Sequence, residues 1–301
     1  MESYIKAYEY ESNVNPLLAG IPISVKNSLD SSFGLQWLDL SKIYAVEHSA
    51  TSPNLLAGFI KLRKEEHIVF SQSSDNSFNA SSNFFYILYG VCSAEVDGEQ
   101  CSMNSEDIFI FPRFEETKIF NSGETDVCIY YINDSPLINY LGSIAQKKLF
   151  KASLYSKAFL QEKLQELSNP NNNRKGILLS NTDTEKIGIN TITPILWSLY
   201  NELPPKTVQL PHRHNSVALD LCITCEDSEN VYTLIGDKLD EKGNIINPTK
   251  IHWKTGEMFI TPPGLWHSHN NVGNTYAYVL PIQDAGLLLF QRILGIEIYK
   301  N

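Results

Sequence analysis

The chain has 301 residues, of which 43% are hydrophobic and 19% charged, and this ordinary globular usage excludes disordered, collagen-like and coiled-coil classes. At roughly 100 to 200 residues per domain the length predicts two domains, with one large β domain as the competing count. Lysine and arginine number 24 against 34 acidic residues, and with no basic patch to oppose it the net charge of −10 excludes nucleic acid as a partner.

The amino terminus, MESYIKAYEYESN, lacks the basic start and apolar run of a signal peptide. No stretch approaches the roughly 20 apolar residues of a membrane helix, so a cytoplasmic protein without membrane contact is expected. Residues 1–50 read as an N-terminal extension, with Leu35 to Leu40 apolar but unassigned. Beyond it, Phe84-Phe85-Tyr86-Ile87-Leu88-Tyr89, Ala94-Glu95-Val96, Ile108-Phe109-Ile110-Phe111 and Val127-Cys128-Ile129-Tyr130-Tyr131-Ile132 read as strands. The Asp97-Gly98 pair after Val96 predicts a hairpin turn, because both central positions of that turn need positive φ.

Residues 136–167 carry Leu154, Ala158, Phe159, Leu164 and Leu167 at helical spacing and predict one or two linking helices. The polar run NPNNNRK from Asn169 to Lys175 reads as linker. A second β region follows: Val217 to Cys225, Val231 to Ile235, Ile251 to Trp253, Met258 to Thr261 and Tyr276 to Leu280. The two regions rhyme. Ser105-Glu106-Asp107-Ile108-Phe109-Ile110-Phe111-Pro112 parallels Thr255-Gly256-Glu257-Met258-Phe259-Ile260-Thr261-Pro262, as expected of a diverged internal duplication of a β barrel. Five cysteines (Cys92, Cys101, Cys128, Cys222, Cys225) are too few, and odd in number, for a disulfide framework.

Of seven histidines, five lie between positions 212 and 269. His212 and His214 flank one residue, so on a strand both rings point to one face, where two imidazoles can share a metal ion. The second group fits G-x5-P-x-G-x2-H-x3-N at Gly256, Pro262, Gly264, His267 and Asn271. That pattern resembles the second signature motif of the cupin superfamily, and His212-Arg213-His214 resembles the start of the first. Segments 211–219 and 261–270 are most similar to the bicupin ring-cleaving dioxygenases of the gentisate 1,2-dioxygenase type.

The resemblance implies a mainly β bicupin: two jelly-roll (cupin) β-barrels joined by a short helical linker. Residues 51–142 would form a degenerate barrel without metal ligands, 143–170 the linker, 171–290 the metal-binding barrel and 291–301 a tail. Tyr86 to Gly90 and Asp134 to Gly142 resemble the family's other half, but Thr117 stands where its histidine would fall. The order of the halves is exchanged relative to those dioxygenases, whose metal-bearing half leads.

The same resemblance implies Fe(II) held by His212, His214 and His267 without a glutamate, since Ala218 and Leu219 stand at the glutamate position. It also implies O2 and a small aromatic or phenolic metabolite as substrates, and a homo-oligomer. Strand parity sets His269 beside His267, where it could act as an acid or base, although the related enzymes use one histidine of that segment as ligand. Asp220 departs from the family, which carries a basic residue there. Either it points away from the pocket, or the substrate bears an amine or several hydroxyls. Gln209, Trp197, Trp253 and Trp266, with Tyr200, are pocket candidates, and Gln209, Asn215 and Asn271 are candidates to orient the ligands. Two alternatives stay open: a non-redox metal-dependent cupin such as an isomerase, lyase or decarboxylase, and a small-molecule-binding cupin without catalysis.

Overall fold

The computed structural model describes residues 4–14, 17–167 and 174–300, so most of the linker-like NPNNNRK run lies outside the described residues. The first half builds a six-stranded sheet in the order Ser153–Tyr155, Ile108–Pro112, Ser82–Tyr89, Val127–Asn133, Leu56–Leu62, Gly34–Trp37. It is faced by His67–Ser71, Glu116–Phe120, Cys92–Val96 and Glu99–Met103. The second half repeats the plan with Val25–Asn27, Glu257–Thr261, Ala218–Cys225, Ala277–Gln283, Trp197–Leu203 and Lys175–Leu179. Its facing sheet runs Thr249–His252, Val231–Gly236, Trp266–Asn271, His212–His214, Ile296–Ile298. The architecture is therefore mainly β and duplicated.

Each repeat lends its leading strand to the other. Val25–Asn27 pairs with Glu257–Thr261 of the second barrel, while Ser153–Tyr155 pairs with Ile108–Pro112 of the first. Leu154, whose spacing suits a helix, lies in that lent strand; helices occupy only Ser135–Tyr140 and Lys157–Leu167 of the stretch. The two receiving strands are the rhyming segments. Their turns match in backbone: Glu106 (φ 68°) and Gly256 (φ 78°) both sit in the left-handed region. The amide of Glu106 donates to Ile87 O at 2.7 Å and that of Gly256 to Cys222 O at 2.8 Å. Glycine is needed at 256 for a second reason, since a Cβ there would meet Ser28 Oγ at 2.4 Å, just beyond the lent strand.

Alternation explains how the large sheets are buried on both faces. In Val127–Asn133, residues Cys128, Tyr130 and Ile132 face a core shared by the two halves, whereas Val127, Ile129 and Tyr131 face the first barrel's interior. In the second barrel Leu219, Leu221, Met258 and Ile260 meet that shared core. Parity then forces Asp220 and Thr261 inward. The predicted Asp97-Gly98 turn has both residues at positive φ (48° and 84°). All five cysteines are free thiols, four of them buried. Among the described residues no helix is long and apolar enough to cross a membrane.

Candidate metal centre

The short strand His212–His214 lies against Trp266–Asn271, with His212 directly opposite His267. Ring centroids of His212 and His267 are 3.9 Å apart, and those of His214 and His267 are 4.9 Å apart. One nitrogen from each of His212, His214 and His267 falls within 4.8 Å of the others, a spacing one ion can bridge. Backbone carbonyls fix two of the tautomers. His214 Nδ1 donates to Ser216 O at 2.9 Å and His267 Nδ1 to Leu265 O at 3.1 Å, leaving each Nε2 unprotonated.

His212 Nδ1 is buried with no hydrogen-bond partner among the described residues. Burial and then the neighbouring imidazoles hold His212 and His267 well below the usual histidine range; burial also lowers His214. The rings are thus neutral at pH 7, as metal ligands must be. A largely buried donor set of three neutral imidazole nitrogens fits a divalent transition metal.

His269 is outside this trio, its ring centroid 5.8 Å from that of His267. Its Nδ1 lies 2.8 Å from Thr233 Oγ1, which also accepts from Trp253 Nε1 at 2.8 Å. Accepting from the indole leaves the Thr233 hydroxyl a hydrogen and a second lone pair, so it can donate to His269 Nδ1 or accept from it. Burial and the Arg174 charge push His269 down to about 3.

The imidazoles open on a cavity of about 180 Å³. Asp220, Gln209, Asn201, Gln283, Leu199 and Pro281 line it, together with Arg174 and Lys175. Asp220 is buried and accepts a 2.6 Å hydrogen bond from Thr261 Oγ1 on its Oδ2; burial pushes its carboxyl up to about 7 against the pull of that bond. Arg174 donates to Gln209 Oε1 at 3.3 Å and to Leu210 O at 2.5 Å. Burial lowers the guanidinium to about 10, so it stays charged at neutral pH. Sequence reasoning missed Arg174, which sits inside the linker-like run and in no motif. It also missed Ser216, whose hydroxyl lies 3.1 Å from His214 Nδ1 and donates to Gln283 Oε1 at 2.7 Å.

The tryptophans expected in the pocket do not line it. Trp253 is fully buried in the second barrel's own core, where it packs near Phe259. Trp266 adjoins His267, so parity turns it to the opposite face, under the Arg213 guanidinium at 4.7 Å. Trp197 shares the strand face of Leu199 and Asn201, but the lining stops at Leu199. Tyr200 faces the shared core. Asn215 binds Ile293 O and the Gly295 amide, anchoring the C-terminal segment rather than an imidazole. Asn271 donates to Leu203 O and Thr275 O and accepts from Gly273 N, and Asn121 makes the matching set with Leu62, Thr125 and Gly123. The motif asparagine is therefore a loop clamp present in both halves.

The first barrel shows why it lacks a site. Strand register equates Phe85, Phe111 and Tyr131 with Asp220, Thr261 and Pro281. Tyr131 stacks on Phe85 with centroids 4.3 Å apart and Phe111 meets Phe85 edge-on, so bulky rings stand where the second barrel has the smaller trio. A larger groove of about 850 Å³ runs outside that barrel, but it holds no histidine, and its Lys148 and Lys186 pair with Asp97 and Asp183.

No family model matches the chain, and no curated protein matches it in sequence. Solved structures do match its fold. A salicylate 1,2-dioxygenase from Pseudaminobacter salicylatoxidans aligns with a TM-score of 0.72 at 13% identity, over 99% of this chain and 94% of that one. A variant of that dioxygenase in complex with gentisate gives 0.71 at 13% identity, over 96% and 89%. A Bacillus subtilis oxalate decarboxylase variant gives 0.55 at 10% identity, over 91% and 79%. The chain has the bicupin fold. At these identities the likeness speaks to architecture, and the chemistry rests on the site itself.

Proposed function

We propose that the protein is an Fe(II)-dependent dioxygenase acting on a small aromatic or phenolic acid, with His212, His214 and His267 as metal ligands. The observation that carries this reading is the convergence of three neutral imidazoles on a cavity with no carboxylate among the ligand atoms. Three protein ligands leave about half of a six-coordinate sphere open. Fe(II) held by these three histidines would supply Lewis acidity towards a substrate oxygen and an electron source for O2.

The chain's own residues supply orientation and proton control. The Arg174 guanidinium on the cavity wall attracts a carboxylate. His269, neutral and on the cavity wall, offers a ring nitrogen that can exchange a proton with a substrate oxygen. The volume of about 180 Å³ falls below the roughly 300–1,000 Å³ of drug-sized sites, so it suits a single-ring metabolite.

Anaerobic reconstitution with Fe(II), followed by oxygen-uptake measurement across hydroxylated benzoates, aminophenols and catechols, tests the proposal. Uptake that depends on both Fe(II) and one of these substrates is expected. No uptake with any of them, combined with turnover supported equally by Zn(II) or Mn(II), would overturn it in favour of a Lewis-acid isomerase, lyase or decarboxylase.

A further inference from the structure

Asp220 stands where the first barrel places Phe85, and it brings a carboxyl into the cavity wall. Its Oδ2 is satisfied by Thr261. Its Oδ1 makes no hydrogen bond among the described residues, yet it is not among the sealed, partnerless buried atoms, so it is open to the cavity. No lysine, arginine or histidine among the described residues forms an ion pair with it. Burying a carboxyl with an acceptor unmet is costly unless something else supplies the donor. Two features of the wall thus differ in kind: a cation at Arg174 and an open acceptor at Asp220, with no ion pair joining them.

We propose that Asp220 determines substrate choice: the cavity takes a single-ring acid whose ring carries an N–H or O–H donor that reaches Asp220 Oδ1, while its carboxylate is drawn to Arg174. This deepens the reading of the cavity as the substrate site and rests on it. A pocket built to receive a donor discriminates strongly against the analogue that lacks it, because the buried acceptor is then desolvated and left alone. Benzoate has no ring donor, and the single hydroxyl of salicylate is ortho to the carboxylate and hydrogen-bonded to it, so it is not the donor that reaches Asp220 across the ring. Gentisate adds a ring hydroxyl, and 5-aminosalicylate adds a ring amine.

The experiment is titration calorimetry of the Zn(II)-loaded full chain under argon with these four probes. Wild type should bind gentisate or 5-aminosalicylate about tenfold more tightly than salicylate. Asp220→Asn keeps the shape but lets the Thr261 hydroxyl hold the amide oxygen and turns Nδ2 to the cavity, where it meets the ring amine donor to donor, so the preference for 5-aminosalicylate should collapse to below about threefold. Asp220→Ser serves as a second variant, with melting temperature and zinc stoichiometry confirming that each is folded and loaded. A wild-type preference below threefold, or a preference for 5-aminosalicylate undiminished in either folded variant, overturns the inference. Because the readout involves no oxygen, its failure leaves the oxygen-uptake result standing. A clear Asp220-dependent preference without any oxygen uptake would instead remove the dioxygenase reading alone.

Discussion

Three buried imidazoles, a partly buried fourth and one buried carboxyl set the behaviour of the centre. Removing a ligand is the direct check: His212→Ala and His267→Ala should each lower bound metal from about one ion per chain to near zero by elemental analysis, since two nitrogens alone hold a divalent ion poorly. Retention of metal in both would mean that other groups bind it. The pH dependence of the metal-free protein follows from the depressed rings. An unfolded histidine titrates near 6.5, whereas His269 is pushed down to about 3 and the other three rings are also lowered. Below about 6.5 the unfolded state binds more protons, so stability falls as the pH drops. Asp220 has the opposite sign: its carboxyl, pushed up to about 7, contributes stability in acid that is lost as the pH rises through 7. Asp220→Asn should therefore show a steeper loss of melting temperature between pH 6.5 and 5 than metal-free wild type. Parallel profiles would mean that Asp220 does not titrate in this range. At this scale the ligand trio was legible because motif spacing and strand parity are local properties. Arg174 was not, because its place on the cavity wall depends on how two distant strands pack.

The elements show how the first half serves the second. Asn54 Nδ2 donates to Asp284 Oδ2 at 2.7 Å, and Asp284 Oδ1 accepts from the Val217 amide at 2.9 Å. Val217 follows Ser216, whose carbonyl holds His214. The first half has a counterpart, in which Asp134 takes the Ser81 and Ser82 amides. Asn54→Ala should cost about 1–2 kcal/mol of stability, the usual scale for a part-buried bond to a charged group. It should also weaken zinc binding several-fold, measured by competition with a chromogenic chelator. A change in stability with zinc affinity intact would limit the clamp to folding. Filling the cavity tests the trio exchange: Pro281→Tyr should block ligand binding, with a ring at the place that Tyr131 holds in the first barrel. The central strands were legible from their apolar runs. The edge strands Ser153–Tyr155 and Val25–Asn27 were not, because three residues in extended form carry no periodicity of their own, and Leu154 instead matched the helical spacing around it.

For the whole molecule, one core runs across both halves, from Phe59, Phe84 and Tyr130 to Leu219, Leu221 and Met258. Each half's large sheet carries the other's lent strand at one edge. Residues 143–301 produced alone should therefore be insoluble or lack cooperative unfolding, and co-production with residues 1–142 should restore a single melting transition. A soluble, cooperatively melting second half would show that the exchange is dispensable. The duplication itself was legible from the rhyme between residues 105–112 and 255–262. The exchange of strands was not, because a three-residue pairing made outside its own repeat, for Val25–Asn27 across more than two hundred residues, leaves no trace in local pattern.

The lent strands also order events on the ribosome. Ser153–Tyr155 emerges soon after the barrel it completes, so the first half can close while synthesis continues. Val25–Asn27 is made early, yet its partner Glu257–Thr261 comes near the end. At roughly 5–20 residues per second, the wait between those two moments lasts on the order of ten seconds or more. During that interval the leading segment has no sheet to join, and slowing translation past the first barrel should raise the fraction of nascent chains captured by a holdase chaperone.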